Sequence, residues 1–203
     1  MYIAIEGVKG TGKTTLMDTV GRQLTVPLNA FSITKPIPAI HPYEAQVMKY
    51  PQLITNDLFC ELLFAARAKW HQYQLEDKNN VIGDRSILTA YVTRWNKWGD
   101  PYYTIKRTQK LHKGIKHPDV IVWLQSDVKR CAERVKLRPG KLHGIAEEHP
   151  DKIKEAAEIY EELLSGRLYC RKISRVQWLS LPADCPVADL AEELTSIIKY
   201  YNN

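Results

Sequence analysis

Near the start of the chain, Gly7-Val8-Lys9-Gly10-Thr11-Gly12-Lys13-Thr14 sets glycines, a lysine and a hydroxyl in the spacing G-x-x-x-x-G-K-[ST]. Glycines at this spacing let backbone N–H groups approach phosphate oxygens, and a helix starting directly behind them adds a favourable dipole. The cradle runs from Gly7 to Thr15. Lys13 would reach the β and γ phosphates of a nucleotide, and the Thr14 hydroxyl would ligate Mg²⁺. Mg²⁺ keeps most of its waters, so one hydroxyl and one nearby carboxylate suffice. Asp84 is the candidate carboxylate, acting through metal-bound water; its alternative is an N-cap of the next helix. Arg85 beside it offers a planar fork for a phosphate, with a surface ion pair as its alternative.

Arg134 and Arg138 are four residues apart, hence on one helix face, and run into the basic loop Arg138-Pro139-Gly140-Lys141-Leu142-His143-Gly144. Phosphoryl transfer is catalysed mainly by positioning and electrostatic clamping. An arginine arm closing over the phosphates from a lid around 134–148 meets that need and excludes water. The alternative is a helix that ends in basic residues complementing its dipole.

These residues need elements to hold them. Tyr2-Ile3-Ala4-Ile5 is short, apolar and partly β-branched, so it reads as a buried strand. Leu16, Met17, Val20 and Leu24 have helical spacing behind the loop. A weak strand is expected over 26–33. Five of the eleven prolines, Pro27, Pro36, Pro38, Pro42 and Pro51, then mark a loop-rich stretch. A helix is expected over 55–78, capped by Asn56 or Thr55, with Leu58, Phe59, Leu62, Leu63, Ala66, Trp70 and Tyr73 on a broad buried face. Val81-Ile82-Gly83 is a strand leading into Asp84-Arg85-Ser86. Helices follow over 86–98 and 102–113. The apolar run Val120-Ile121-Val122-Trp123-Leu124 reads as a central parallel strand. Ser126 is expected to cap a helix over 127–137; a charged helix over 150–165, a strand over 176–181 and a helix over 186–201 complete the chain.

Five strands alternating with helices imply a parallel sheet covered on both faces, an α/β fold in one domain spanning 1–203. Ligands in such sheets lie at the carboxyl ends of the strands, where the glycine loop and Asp84-Arg85 both fall. At 203 residues, 44% hydrophobic and 26% charged, the chain has the composition of a globular protein. Its formal net charge of +6 suits an anionic partner. No run of five or six basic residues occurs, so a nucleic-acid tail is not expected. Cys60, Cys131, Cys170 and Cys185 are too scattered for a zinc site or a disulfide framework and read as reduced thiols. The strand beginning at Tyr2 leaves no room for a signal peptide, and no apolar run reaches transmembrane length, so a cytoplasmic protein without membrane contact is expected.

Several stretches together resemble the thymidylate kinase family. Ile3-Ala4-Ile5-Glu6-Gly7-Val8-Lys9-Gly10-Thr11-Gly12-Lys13-Thr14-Thr15 is similar to that family's I-E-G-x-D-G-x-G-K-T-T opening. Glu61-Leu62-Leu63-Phe64-Ala65-Ala66-Arg67 resembles its E-L-L-L-F-A-A-D-R helix, Asp84-Arg85-Ser86 its D-R-Y/H motif and Pro118-Asp119-Val120 its P-D strand opening. The resemblance implies a P-loop fold of the nucleoside monophosphate kinase type, ATP as phosphate donor, Mg²⁺, a small nucleotide acceptor and a homodimer. It implies that Phe64 stacks on the acceptor base, that Arg85 holds the acceptor phosphate with Arg67 and Lys35 nearby, and that Thr89 approaches the base. The loop around Asp184 would lie near the donor adenine. Relatives with glycine at the position of Gly10 carry catalytic arginines in the lid, which supports Arg134 and Arg138. The chain also departs from the family: Lys9 stands where relatives have an acid facing the acceptor sugar, and Ala68 where they have an arginine.

Asp84-Arg85-Ser86-Ile87 also resembles the E-R-S motif of deoxynucleoside kinases. A nucleoside hydroxyl is a poor nucleophile and needs a carboxylate base, which those enzymes carry at the end of the second strand. Phe31 to Pro38 contains no acid. A nucleoside monophosphate arrives already ionised and needs cations, which Lys35, Arg67 and Arg85 supply. A nucleoside monophosphate kinase acting on dTMP is therefore expected, ahead of a deoxynucleoside kinase and of a non-catalytic nucleotide-binding module. Asn96-Lys97-Trp98-Gly99 lacks the final acid of a guanine-binding N-K-x-D motif.

Overall fold

The computed structural model describes residues 1–24, 29–32, 35–40, 42–43, 46, 49–54, 56–78, 81–94, 101–137, 149–168 and 170–202. Its strands are β1 (Tyr2–Glu6), β2 (Asn29–Phe31), β3 (Val81–Asp84), β4 (Val120–Gln125) and β5 (Gln177–Pro182). They form one parallel sheet in the order β2-β3-β1-β4-β5. Ile3 stands opposite Ile82 on one side and Val120 on the other. β1, which leads into the glycine loop, is thus central and paired on both edges.

Alternation along the strands sorts the core into two faces. Ile3 and Ile5 of β1, with Val120, Val122 and Leu124 of β4, point to one face. There they meet Leu16, Met17 and Val20 of α1 (Lys13–Gln23) and Leu190, Ala191, Leu194 and Ile198 of α8 (Val187–Asn202). Tyr2 and Ala4, with Ile121 and Trp123, point to the other face. It is covered by α4 (Ile87–Arg94), α5 (Pro101–Leu111), α6 (Val128–Lys136) and α7 (Pro150–Leu164). Ile5 and Val122 are wholly buried; each such side chain contributes about 1.5–3 kcal/mol by leaving water.

Local chemistry fixes the element ends. Asp119 ties the start of β4 to β1: its Oδ2 accepts from the Tyr2 N–H at 2.8 Å, and its own N–H donates to the Tyr2 carbonyl at 2.8 Å. Helix α3 (Asp57–Gln74) is shorter than the expected 55–78 and is preceded by a separate turn of helix, α2 (Pro51–Ile54). Its cap is Asn56, whose side chain accepts from the Phe59 N–H at 2.9 Å; Thr55 lies outside the described residues. Ser126 does not cap α6. Asp127 does, accepting from the Arg130 N–H at 3.0 Å. A carboxylate suits a helix N-terminus better than a hydroxyl because it also complements the dipole. Pro101 opens α5, where its missing N–H is not needed. No helix among the described residues is long and apolar enough to cross a membrane.

Candidate active site

All five strands point the same way, so their carboxyl ends share one edge. The loop after β1 carries Gly7 to Gly12, and β3 ends at Asp84 with Arg85 next. The turn after β4 carries Ser126 and Asp127, and the turn after β5 carries Asp184.

In the glycine loop, Gly10 has φ +96° and Gly12, the residue before α1, has φ +90°. Both lie in the left-handed region that side chains disfavour. Gly10 is also pressed against α6: a Cβ there would lie 2.3 Å from the Cys131 carbonyl oxygen. Lys13 begins α1 and is 5% exposed. Its Nζ donates to the Gly7 and Val8 carbonyls, both at 2.7 Å, and to Thr11 Oγ1 at 3.0 Å. Burial, and secondarily the Arg85 cation, push its pKa well below the usual lysine value; Glu6 and Asp84 oppose that. Three acceptors gathered on one ammonium also favour its charged form. Val8 and Thr11 are buried, Lys9 is half-buried, and Thr15 is exposed on the first turn of α1.

Thr14 is exposed, and its Oγ1 lies 3.5 Å from Asp84 Oδ2. A hydroxyl and a carboxylate oxygen side by side at a strand end are hard donors of the kind Mg²⁺ takes, with room for its waters. Asp84 is not the cap of α4. Ser86 fills that place, its Oγ accepting from the Leu88 N–H at 3.1 Å.

Arg85 is the one non-glycine residue with positive φ, +78°, among the described residues. Its Nη1 donates to Thr89 Oγ1 at 3.5 Å. Thr89 is 5% exposed, and its hydroxyl donates onward to Glu6 Oε2 at 2.9 Å. It is therefore engaged beneath Arg85. Arg67 is buried in α3 with its guanidinium carbon 5.9 Å from the centre of the half-buried Phe64 ring. Lys35 is exposed; its backbone bonds His71, whose pKa is lowered first by burial and then by the Lys35 and Arg67 cations. Lys35, Phe64 and Arg67 thus form one neighbourhood around α3.

Arg134 stands over the glycine loop. Its Nη1 donates to the Gly10 carbonyl at 3.5 Å, and its Nη2 lies 3.9 Å from Asp184 Oδ1. Asp184 also accepts from Ser126 Oγ and the Asp127 N–H, each at 2.8 Å, and pairs with Arg130 at 3.4 Å. The Asp127 N–H and Ser126 hydroxyl hold its carboxyl below the usual carboxylate range. Arg138 and the rest of the expected lid, 138–148, lie outside the described residues.

Sequence reasoning missed Glu6 and Tyr160. Glu6 is completely buried. Its Oε1 accepts from the N–H and the Oγ of Ser86, both at 2.6 Å. Its Oε2 accepts from Thr89 Oγ1 and from Tyr160 OH at 2.7 Å. The signal available was alternation: Glu6 follows Tyr2 and Ala4 onto the face covered by α7, where an acid needs partners. Burial, then the Glu6 charge, raise the Tyr160 pKa well above the usual tyrosine value, so Tyr160 keeps its proton and donates.

A family model described as thymidylate kinase matches residues 5–175 of the chain. A thymidylate kinase of Acinetobacter baylyi is 25% identical over 195 residues, covering 90% of this chain and 93% of that protein. A probable thymidylate kinase of Picrophilus torridus is 26% identical over 176 residues, covering 82% of each. Among solved structures, the thymidylate kinase of Candida albicans superposes with a TM-score of 0.71 at 18% identity, covering 98% of this chain and 91% of that one. A deoxyadenosine kinase from M. mycoides with bound dATP gives 0.70 at 20% identity, covering 98% of this chain and all of that one. Both structures share the fold.

Proposed function

The chain belongs to the thymidylate kinase family, and from that premise we propose that it transfers the γ-phosphate of ATP to a deoxynucleoside monophosphate, with dTMP as acceptor. The family makes it an ATP-dependent nucleotide kinase. The choice of acceptor rests on one observation: the residues expected around the acceptor are cations, and the second-strand region Phe31 to Pro38 carries no acid. The buried Glu6 cannot act as a base, because four donors already occupy its oxygens. A phosphate oxygen needs no base; a deoxyribose hydroxyl does.

ATP would supply the phosphoryl group; the Thr14 hydroxyl and, through metal-bound water, the Asp84 carboxylate would hold Mg²⁺, whose chemistry is to neutralise charge on the phosphates. Lys13 would exchange its carbonyl partners for phosphate oxygens. Arg85 would hold the acceptor phosphate, with Lys35 and Arg67 on the same side and the Phe64 ring for the base. Arg134, already against the loop at Gly10, would stabilise charge on the transferring group. Arg138 would join it from a basic lid around 134–148, with the donor adenine near Asp184.

Purified protein with ATP and Mg²⁺ should phosphorylate dTMP faster than thymidine. Faster turnover of thymidine would replace this reading with a deoxynucleoside kinase; ATP binding without turnover of either would leave a binding module.

A further inference from the structure

The conformation of Arg85 is one that an L-residue adopts only when its surroundings enforce it. At φ +78° it turns the chain abruptly between the end of β3 and the start of α4. Two adjacent residues of the neighbouring strand, Ile5 and Glu6, hold it there. Glu6 Oε1 receives the N–H of Ser86, the peptide directly after Arg85, at 2.6 Å, and the Ser86 hydroxyl at the same distance. The Arg85 N–H donates to the Ile5 carbonyl at 3.1 Å, extending the β1–β3 ladder one step past the strand end. The other end of Arg85 is held from the same carboxylate. Its guanidinium donates to Thr89 Oγ1, and Thr89 donates to Glu6 Oε2. Donors and acceptors along this chain all run toward the carboxylate, an arrangement in which each bond strengthens the next. Tyr160 from α7 completes the set at 2.7 Å.

We infer that Glu6 is a positioning residue for the acceptor phosphate, gripping Arg85 at both its backbone turn and its guanidinium. It touches no substrate; it acts by fixing where the guanidinium points. The inference rests on the proposed role of Arg85 at the acceptor phosphate. A carboxylate suits this place because it accepts all four bonds at once, whereas an amide, with one acceptor oxygen, would turn the hydroxyls on its nitrogen side into acceptors and so reverse the direction of the Thr89 bond on which the guanidinium arm runs. Losing a charge-assisted hydrogen bond between the guanidinium and the phosphate is enough to cost about 10- to 100-fold in binding.

The test uses the full chain without ATP and measures binding of dTMP and of thymidine by calorimetry. Glu6→Gln should weaken dTMP about 10- to 100-fold and leave thymidine, which lacks the phosphate, within about twofold. Combined with Arg85→Ala, it should add nothing to the loss that Arg85→Ala causes alone, because residues acting as one unit are not additive. Full additivity, equal weakening of thymidine, or unchanged dTMP binding would each overturn the inference. Should Glu6→Gln fail to fold, Thr89→Val removes only the guanidinium arm. It should weaken dTMP and spare thymidine; a loss for both would instead put Thr89 against the base and sink the inference. Failure of the kinase reading is separately visible, since it appears in the wild-type protein as preference for thymidine or as no turnover.

Discussion

Gly10 lies against the peptide of Cys131 so closely that a Cβ at position 10 would come within 2.3 Å of the Cys131 carbonyl oxygen. Backbone, unlike a side-chain tip, cannot rotate away. Gly10→Ala therefore adds a clash to the penalty of φ +96°. We expect a loss of about 2–4 kcal/mol of stability and a melting temperature lower by about 5–15 °C. A calorimetric scan decides it; an unchanged melting temperature would mean that α6 shifts freely against the loop.

Lys13→Ala should lower kcat for dTMP phosphorylation by at least about 100- to 1,000-fold, the scale for losing one preorganised donor. The fold should persist, because the lysine's present partners are carbonyls and a hydroxyl of the glycine loop, not groups of the two apolar clusters that pack the sheet. Circular dichroism with a coupled ADP assay separates the two effects. Activity within tenfold of wild type would remove Lys13 from the mechanism.

Asp184 ties the turn after β4 to the turn after β5 and restrains Arg130 and Arg134 together. Asp184→Ala should cost about 1 kcal/mol of stability, the net value of such bonds at a surface exposed to solvent. It should reduce kcat about tenfold by freeing Arg134. Steady-state kinetics on ATP will show whether the arginine matters to turnover; a fall in stability alone would confine Asp184 to holding the two turns.

Lys9 is half-buried in the glycine loop, at the place where the resembled family has an acid toward the acceptor sugar. Lys9→Asp should change which acceptors are used, read as a shift of at least about fivefold, or roughly 1 kcal/mol, in relative kcat/KM across dTMP, dUMP and UMP. Identical ratios before and after substitution would remove Lys9 from acceptor choice.

Two histidines at the amino edge of the sheet set an acid limit on stability. His112 is 1% exposed, and neither ring nitrogen has a hydrogen-bond partner among the described residues. His117 Nε2 meets Tyr91 OH at 3.0 Å. Burial lowers both to about 4; the second cause is His117 for His112 and Lys172 for His117. The unfolded chain therefore binds more protons than the folded one between pH 4 and 6.5. Stability is full above pH 6.5 and falls as pH drops toward 4, by about 3 kcal/mol at most per histidine. Melting curves from pH 8 to 4.5 should show this decline, and His112→Phe should flatten it; an equally steep decline in the variant would exclude His112 as a source.

Much of the site could be read from the chain because its pieces are local. Gly7 to Thr14 is continuous, and Asp84 declares itself as an acid at the end of an apolar run. The sheet followed from five apolar stretches whose side chains could only alternate between two covered faces. What escaped were relationships across the sheet. Ser126 looks like a helix cap by type and position, yet its hydroxyl is taken by Asp184, 58 residues away, and Asp127 caps instead. Glu6 reads as one letter of a motif until Ser86, Thr89 and Tyr160 arrive around it from three later points in the chain. Thr89, expected near a base, also bonds that carboxylate, a contact its place in the sequence does not announce.

The order of the sheet also governs when the enzyme comes into being. β1 precedes both of its neighbours in the chain, pairing with residues from Val81 on one side and Val120 on the other. Arg134 meets its carboxylate only when Asp184 is in place. During synthesis on the ribosome, the glycine loop emerges before Cys131, against which Gly10 packs, and before Asp184, which holds Arg134 over it, and it lacks both supports until those segments have followed. Such long-range pairing is slow, and it delays the first turnover until the later segments have closed around β1.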